Sequence, residues 1–330
     1  MMLVCFGTRP EYIKIKPLLK VFEGSVDHQL FFTGQHTDLL KNLPDNIRRL
    51  KIVDGSNRLD SIVQSILNHE EIFQGIDSIL VQGDTTSVFG LALAAFHRKI
   101  PIIHLEAGLR TYDKQNPYPE EFNRQAVSRM ADIHLCPTTL TASNLRREGI
   151  IEGIYVTGNT VLDNLRNIST SYENKIVITM HRRENHHWIE EWFNEIDSLA
   201  QLYPSYEFIL PIHPNPNVCR HQSILKHVNV VKPMEYNSFI QLLASCRFII
   251  TDSGGIQEES SFFGKKCIVC RKSTERTEGL GEFAFLCKRP RDLHEAFKDI
   301  DSAHIPKGVS PYGDGYASEK ILQILKERGF

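Results

Sequence analysis

Short β-branched apolar runs alternate with longer segments of helical periodicity, and the alternation restarts midway along the chain. The first series is "MLVCF", "HQLFFT", a weaker "LKIV", "SILVQ", "PIIHL", "DIHLC" and "GIYVT", with helices expected near 12–22, 57–74, 86–97, 120–130 and 138–147. The second is "KIVITM", "YEFILPI", "VNVVKP", "CRFIITD", "KCIVC" and "FAFLC". Nearly continuous apolar strands separated by helices call for parallel sheets covered on both faces, the α/β class. A length of 330 residues favours two domains over one. The polar passage "NISTSYENK" marks the boundary, giving domains over 1–168 and 169–314. Residues 315–330 then read as a turn and an amphipathic helix, with Ser318 placed to cap it and Ile321, Leu322, Ile324 and Leu325 forming its apolar stripe.

Open parallel sheets bind ligands beyond the carboxyl ends of their strands. Polar residues collect there in both halves: Gly7, Thr8 and Arg9; Gly34, Gln35 and His36; Gly83 and Asp84; Glu106; then His181, Arg182 and Arg183; His213; Asp252 and Ser253. The repetition suggests two sheets facing each other across a polar cleft.

Several classes of function fall away. Basic and acidic residues are mixed, with a net charge of -2, which disfavours nucleic acid. The opening "MMLVCF" is too short for a signal peptide and no apolar run is long enough for a bilayer, so a cytosolic protein without a membrane partner is expected. The seven scattered cysteines read as buried thiols rather than a zinc or redox site, and "HHW" lacks metalloprotease spacing, so no metal is expected. Neither a GxGxxG nor a GxxxxGK[ST] loop is present, which leaves a nicotinamide or ATPase reading unsupported.

Each polar residue has a functional and an ordinary role open to it. Arg9 can grip a phosphate, with Lys14 one turn along the same helix, or both can be solubilising charges. Asp84 can cap the next helix, a task open also to Thr85 and Thr86, or move a proton. Glu106 follows a buried strand and needs a partner, for which Arg110 is the nearest choice. Glu120 and Glu121 suit a helix start, Glu120 being the better cleft residue and Glu121 a helical salt-bridge residue. His181 sits with two arginines suited to a diphosphate. His186 and His187 read as solvent-facing, and His213 lies in a proline-rich turn that suits positioning as well as contact. In "TDSGGIQEES", Ser253, Gly254 and Gly255 suit an anion at a helix start and Glu259 suits ribose hydroxyls, whereas Glu258 reads as a surface acid. Arg276 is either a phosphate contact or a partner of Glu275.

In combination "FGTRPEYIK", "TGQH", "GDTTS", "EAGLRT", "NPYPEEFNR", "VTGNTVLD", "HRREN", "TDSGGIQEE" and "PYGDG" resemble the non-hydrolysing UDP-N-acetylglucosamine 2-epimerase family over nearly the whole chain and in the family's order. The resemblance implies two Rossmann-like domains in a glycosyltransferase-B arrangement with an interdomain active-site cleft, the terminal helix returning to the first domain. It implies reversible C2 epimerisation of UDP-N-acetylglucosamine and UDP-N-acetylmannosamine through elimination and re-addition of UDP. No cofactor is required, and a homodimer is expected. Asp84, Glu106 and Glu120 match the acid–base group, and His181 is counted with them as catalytic. Arg9, Lys14, Ser253, Gly254, Gly255, Glu259 and Arg276 match the substrate site, with His213 counted beside them as substrate-binding, and Gln35 and His36 match a regulatory nucleotide site. Thr37, the run His186, His187 and Trp188, Thr277 and Gly279 depart from the family's usual residues. A hydrolysing epimerase, a sugar transferase of the same fold and a non-catalytic nucleotide-sugar sensor are the competing readings.

Overall fold

A computed structural model of the chain describes residues 1–35, 43, 47–302, 305–306 and 308–330. The chain divides into two compact units, Met1–Asn164 with Gly315–Phe330, and Leu165–Asp314.

Unit 1 is built on β1 (Met2–Phe6), β2 (His28–Phe32), β3 (Arg48–Arg49), β4 (Ser78–Gln82), β5 (Ile102–Leu105), β6 (Ile133–Cys136) and β7 (Ile154–Val156). They form one parallel sheet in the order β3-β2-β1-β4-β5-β6-β7. The helices are α1 (Arg9–Phe22), α2 (Arg58–Leu67), α3 (Thr86–His97), α4 (Glu120–Met130) and α5 (Thr139–Arg147). Alternation along β1 explains why the sheet needs helices on both sides: Leu3 and Cys5 enter one core, and Met2, Val4 and Phe6 the other. Burying each such aliphatic or aromatic side chain contributes about 1.5–3 kcal/mol.

Unit 2 contains β8 (Lys175–Thr179), β9 (Glu207–Pro211), β10 (Asn229–Val231), β11 (Phe248–Thr251), β12 (Lys266–Cys270) and β13 (Ala284–Cys287). Its parallel sheet runs β10-β9-β8-β11-β12-β13. The helices α6 (Ile189–Leu202), α7 (Pro216–Cys219), α8 (Tyr236–Ser245), α9 (Gly254–Phe262) and α10 (Leu293–Ser302) accompany it. Trp192 and Phe193 of α6 and Phe297 of α10 lie in the core on one face, with Phe297 stacked on Phe208.

The last helix, α11 (Ala317–Glu327), packs on α1 and buries Ile321 and Leu325 among Ile15 and Leu18. Its cap differs from the expectation. Ser318 lies inside the first turn, and the Asp163 carboxylate accepts from the amides of Ala317 at 3.0 Å and Ser318 at 2.7 Å. A charged acceptor from elsewhere in the chain satisfies these end amides better than the local hydroxyl.

Two other expectations shift. The "LKIV" strand is displaced, because the paired residues are Arg48 and Arg49 and residues 50–53 lie past the strand's end. The helix over 57–74 breaks at Asn68, and a 3-10 turn over Glu70–Phe73 follows. Among the described residues no helix is long and apolar enough to cross a membrane.

Candidate functional site

In each sheet the strand order reverses beside the first strand laid down. This is between β1 and β4 in unit 1 and between β8 and β11 in unit 2. Crossovers leave in opposite directions there, so the following loops diverge and open a crevice. The residues after β1 and β4 include Arg9 and Asp84; those after β8 and β11 include His181 and Ser253.

In unit 1 the backbone of Glu106 is left-handed, φ 68°. A non-glycine residue there costs of order 1–3 kcal/mol and is characteristic of functional sites. The residue is 8% exposed, and its carboxylate takes Lys14 Nζ at 2.6 Å on each oxygen and accepts from Gln82 and from Asn159 Nδ2 at 3.0 Å. Arg110 is not its partner. That guanidinium lies beyond the left-handed Gly108 and forks onto Glu148 at 2.7 and 2.8 Å.

Asp84 does not cap α3, because Thr85 does so by accepting from the Val88 amide at 3.3 Å. The Asp84 carboxylate instead pairs with Arg124 of α4, while Asn123 Nδ2 holds the Asp84 carbonyl at 2.9 Å. Pairing of β4 with β5 brings Asp84 and Glu106 to neighbouring strand ends. A Cβ added to Gly83 would lie 3.6 Å from Glu106 Oε2. Glu120 opens α4 and is half-buried. Glu121 is fully buried and accepts from the Thr111 and Tyr112 amides, each at 3.0 Å, so it fixes the preceding loop.

Arg9 is exposed at the first residue of α1. Gln35 Oε1 accepts from the Ser87 amide at 3.1 Å and its hydroxyl at 2.7 Å, which ties it to the first turn of α3; His36 lies outside the described residues. Gly7 is required by space, since a Cβ there would approach Thr33 Oγ1 to 2.3 Å.

Sequence reasoning missed the groups beneath these loops. His104 is buried, and because its Nε2 faces the Gly83 carbonyl at 2.8 Å, Nε2 carries the proton. Burial pushes its pKa down to about 3 and that of its cross-strand neighbour His134 down to about 4. The folded value of His104 lies below its ordinary 6.5, so its stabilising contribution is complete above pH 6.5 and is lost as pH falls toward 3. Between pH 7 and 4.5 we expect the protein to lose more unfolding free energy than His104→Gln, which keeps a donor for Gly83 without titrating, by an amount on the order of a few kcal/mol. Urea unfolding across that range with identical pH slopes for the two proteins would refute this.

In unit 2 the organising residue is Asp252, fully buried after β11. Its carboxylate accepts from the amides of His181 at 3.0 and 3.1 Å and Arg182 at 2.8 Å, and from Asn185 Nδ2 at 3.1 Å. The His181 ring stacks on that of His213, with centroids 5.1 Å apart and planes 17° from parallel. Burial holds both imidazoles below their ordinary pKa, against the opposing pull of Asp252. His186 is half-buried with Nε2 at 3.3 Å from the His181 carbonyl, a correction to the solvent-facing reading; His187 is exposed.

Ser253 precedes α9 as its N-cap residue. The space that a side chain at Gly254 would need is occupied by Arg276, whose Nη1 lies 2.4 Å from the Cβ position, whereas Gly255 faces open space. Glu259 is 5% exposed and accepts from the Tyr236 hydroxyl at 2.9 Å. Burial, then Glu259, raises the Tyr236 pKa, which keeps that donor protonated.

Glu258 is fully buried, which overturns its reading as a surface acid. Most of α9 is buried, and the loop after β12 brings Arg276 onto Glu258. A chain of alternating charge results: Glu184 to Arg271 at 2.6 Å, Arg271 to Glu275 at 3.0 Å, then Glu275 to Arg276 and Arg276 to Glu258. Tyr312, from "PYGDG", supports the same loop, donating to the Arg276 carbonyl and accepting from the Gly279 amide, each at 3.2 Å. Among the described residues no group of three or more His, Cys, Asp or Glu could hold a metal ion.

A family model described as UDP-N-acetylglucosamine 2-epimerase matches residues 21–326. The UDP-N-acetylglucosamine 2-epimerase of Campylobacter jejuni is 38% identical over 374 aligned residues, covering 98% of this chain and 96% of its own. The crystal structure of the Neisseria meningitidis enzyme bound to UDP-GlcNAc is similar with a TM-score of 0.89 and 33% identity, covering 99% of each chain. That of the Methanocaldococcus jannaschii enzyme with UDP-GlcNAc and UDP has a TM-score of 0.83 and 29% identity, covering 99% of this chain and 100% of the other.

Proposed function

Because the chain belongs to the UDP-N-acetylglucosamine 2-epimerase family, we propose a division of labour for its reversible C2 epimerisation of UDP-N-acetylglucosamine and UDP-N-acetylmannosamine. Unit 1 supplies proton transfer through Asp84, Glu106 and Glu120. Unit 2 supplies the grip on UDP through His181, His213, Ser253, Gly254, Gly255 and Glu259. Arg9 and Lys14 add cations at the start of α1. The observation that carries this reading is the pair of carboxylates at the neighbouring ends of β4 and β5, one on a left-handed backbone against Lys14 and the other against Arg124.

An active-site carboxylate takes the C2 proton as the C1–oxygen bond breaks; UDP leaves with the bonding pair and 2-acetamidoglucal remains. Return of a proton to the opposite face of C2, with addition of UDP oxygen at C1, gives the epimer. Glu106 accepts hydrogen bonds from three nitrogen donors, so it stands as a carboxylate able to receive a proton. UDP leaves readily only if its developing charge is held, and the start of α9 offers the amides of Gly254 and Gly255 for that purpose, the Ser253 amide being taken by Thr251 Oγ1 at 3.0 Å. Glu259 serves the ribose hydroxyls, with Tyr236 orienting its carboxylate. Arg276 acts by packing behind Gly254.

The test is proton NMR of either UDP sugar with the protein in deuterated water. Both epimers should appear with deuterium at C2, without NAD or added metal. A persistent C2 proton in a bound sugar defeats epimerisation, and release of free N-acetylmannosamine would indicate hydrolysis. We further propose a cytosolic homodimer. Phe96 of α3 and Phe122 of α4, 55% and 51% exposed, support a self-associating face. Sedimentation at the mass of one chain, or activity recovered from a membrane fraction, would count against these two assignments.

A further inference from the structure

Glu11 is a buried titratable group that the acid–base scheme leaves unused. It is 3% exposed at the third residue of α1. Its Oε2 accepts from the amides of Gly7 at 2.5 Å and Thr8 at 2.8 Å, and its Oε1 from the Thr85 hydroxyl at 2.6 Å. The Thr8 bond belongs to a capping box and the Gly7 bond extends it by one residue, a local device that any helix start can use. The third does not. It spans 74 residues to reach the neighbour of Asp84, and Thr85 itself receives the Val88 amide as the cap of α3. One carboxylate therefore joins two turns: the one that leads into Arg9 and the one that carries Asp84.

Its surroundings make this costly. Burial, with the Asp84 charge nearby, pushes the Glu11 carboxyl up to about 7, although its hydrogen bonds from Thr85, Gly7 and Thr8 act in the other direction. An uncharged cap residue would close the helix end without that penalty. The carboxylate provides acceptors in two directions at once, which a hydroxyl cannot do.

We propose that Glu11 is a positioning residue, which locks the Gly7–Arg9 turn to the Asp84–Thr85 turn and so holds Asp84 in place for proton transfer at C2. The proposal rests on the acid–base reading of Asp84. In Glu11→Gln the amide oxygen still receives Gly7 and Thr8, and the amide nitrogen donates to Thr85 Oγ, so the link is kept with its direction reversed. Thr85→Val removes this bond together with the Val88 cap of α3 and leaves the capping box of α1 intact, while Thr85→Ser keeps both bonds.

Thr85→Val should lose kcat about 10-fold or more, with KM for the UDP sugar within about threefold, because a displacement of the order of 1 Å at a catalytic group is that costly, while Glu11→Gln and Thr85→Ser, which keep the link, should lose less. The double variant of Glu11→Gln and Thr85→Val should be no slower than Thr85→Val, since that substitution already removes the bond the two residues share. Steady-state epimerisation and C2 deuterium uptake, with thermal melting, read this out. Full additivity, unchanged kcat in Thr85→Val, or losses that track melting would overturn the role while the epimerase reading stands. If Glu11→Gln does not fold, Thr85→Val decides alone. Absence of C2 exchange in the unsubstituted protein would overturn both.

Discussion

Glu106→Gln is expected to lower turnover by about 10²–10⁴-fold, the range for loss of a general acid or base, while UDP affinity changes by less than about twofold. The substitution keeps size but takes away an acceptor. Lys14 Nζ lies 2.6 Å from both carboxylate oxygens, so the new amide must turn an N–H toward an ammonium or abandon Gln82 or Asn159. The left-handed backbone at this residue leaves little freedom to escape by rotation of the chain. Loss of the carboxylate charge acts in the same direction, since Lys14 loses its anionic partner. Rates of epimerisation and of C2 deuterium uptake should fall together, whereas calorimetric titration with UDP should look nearly normal. A variant within about tenfold of the original rate would remove Glu106 from the proton-transfer group.

What the sequence reveals about this site depends on how far apart the interacting residues lie in the chain. Strand ends are legible because a β-branched run and the polar residue after it are adjacent; Asp84, Glu106, His181 and Ser253 all stand at such positions. Partners are not. Arg110 is the nearest cation downstream of Glu106, yet the ion pair is made by Lys14, 92 residues away. Glu258 looks like a surface acid in a polar segment, and only the return of the chain 18 residues later brings Arg276 onto it. Asp252 carries no local sign that it gathers the amides after β8, because that role arises from the pairing of β8 with β11. Glu11 is a partial exception. Thr8 and Glu11 have the spacing of a capping box, so the helix start was readable, while the bond to Thr85 was not.

Arg276→Ala is expected to destabilise unit 2 by about 3–5 kcal/mol, the usual cost of removing one member of a buried ion pair, and to weaken UDP binding as a consequence. The guanidinium is buried between Glu258, fully inaccessible, and Glu275, 6% exposed. Glu275 keeps Arg271 at 3.0 Å after the substitution, so the loss falls chiefly on Glu258, which sits on the helix that presents Ser253 and Gly255. Arg276→Lys restores the charge but not the two-directional fork, and should recover part of the stability and less of the affinity. A direct phosphate contact predicts the opposite pattern: unfolding in urea near the original midpoint, with UDP affinity lost in both variants. The crowding at Gly254 favours the first outcome, because a side chain there would displace the same guanidinium. On this reading the first glycine of "SGG" makes room for Arg276, and the second leaves the helix start open to the diphosphate.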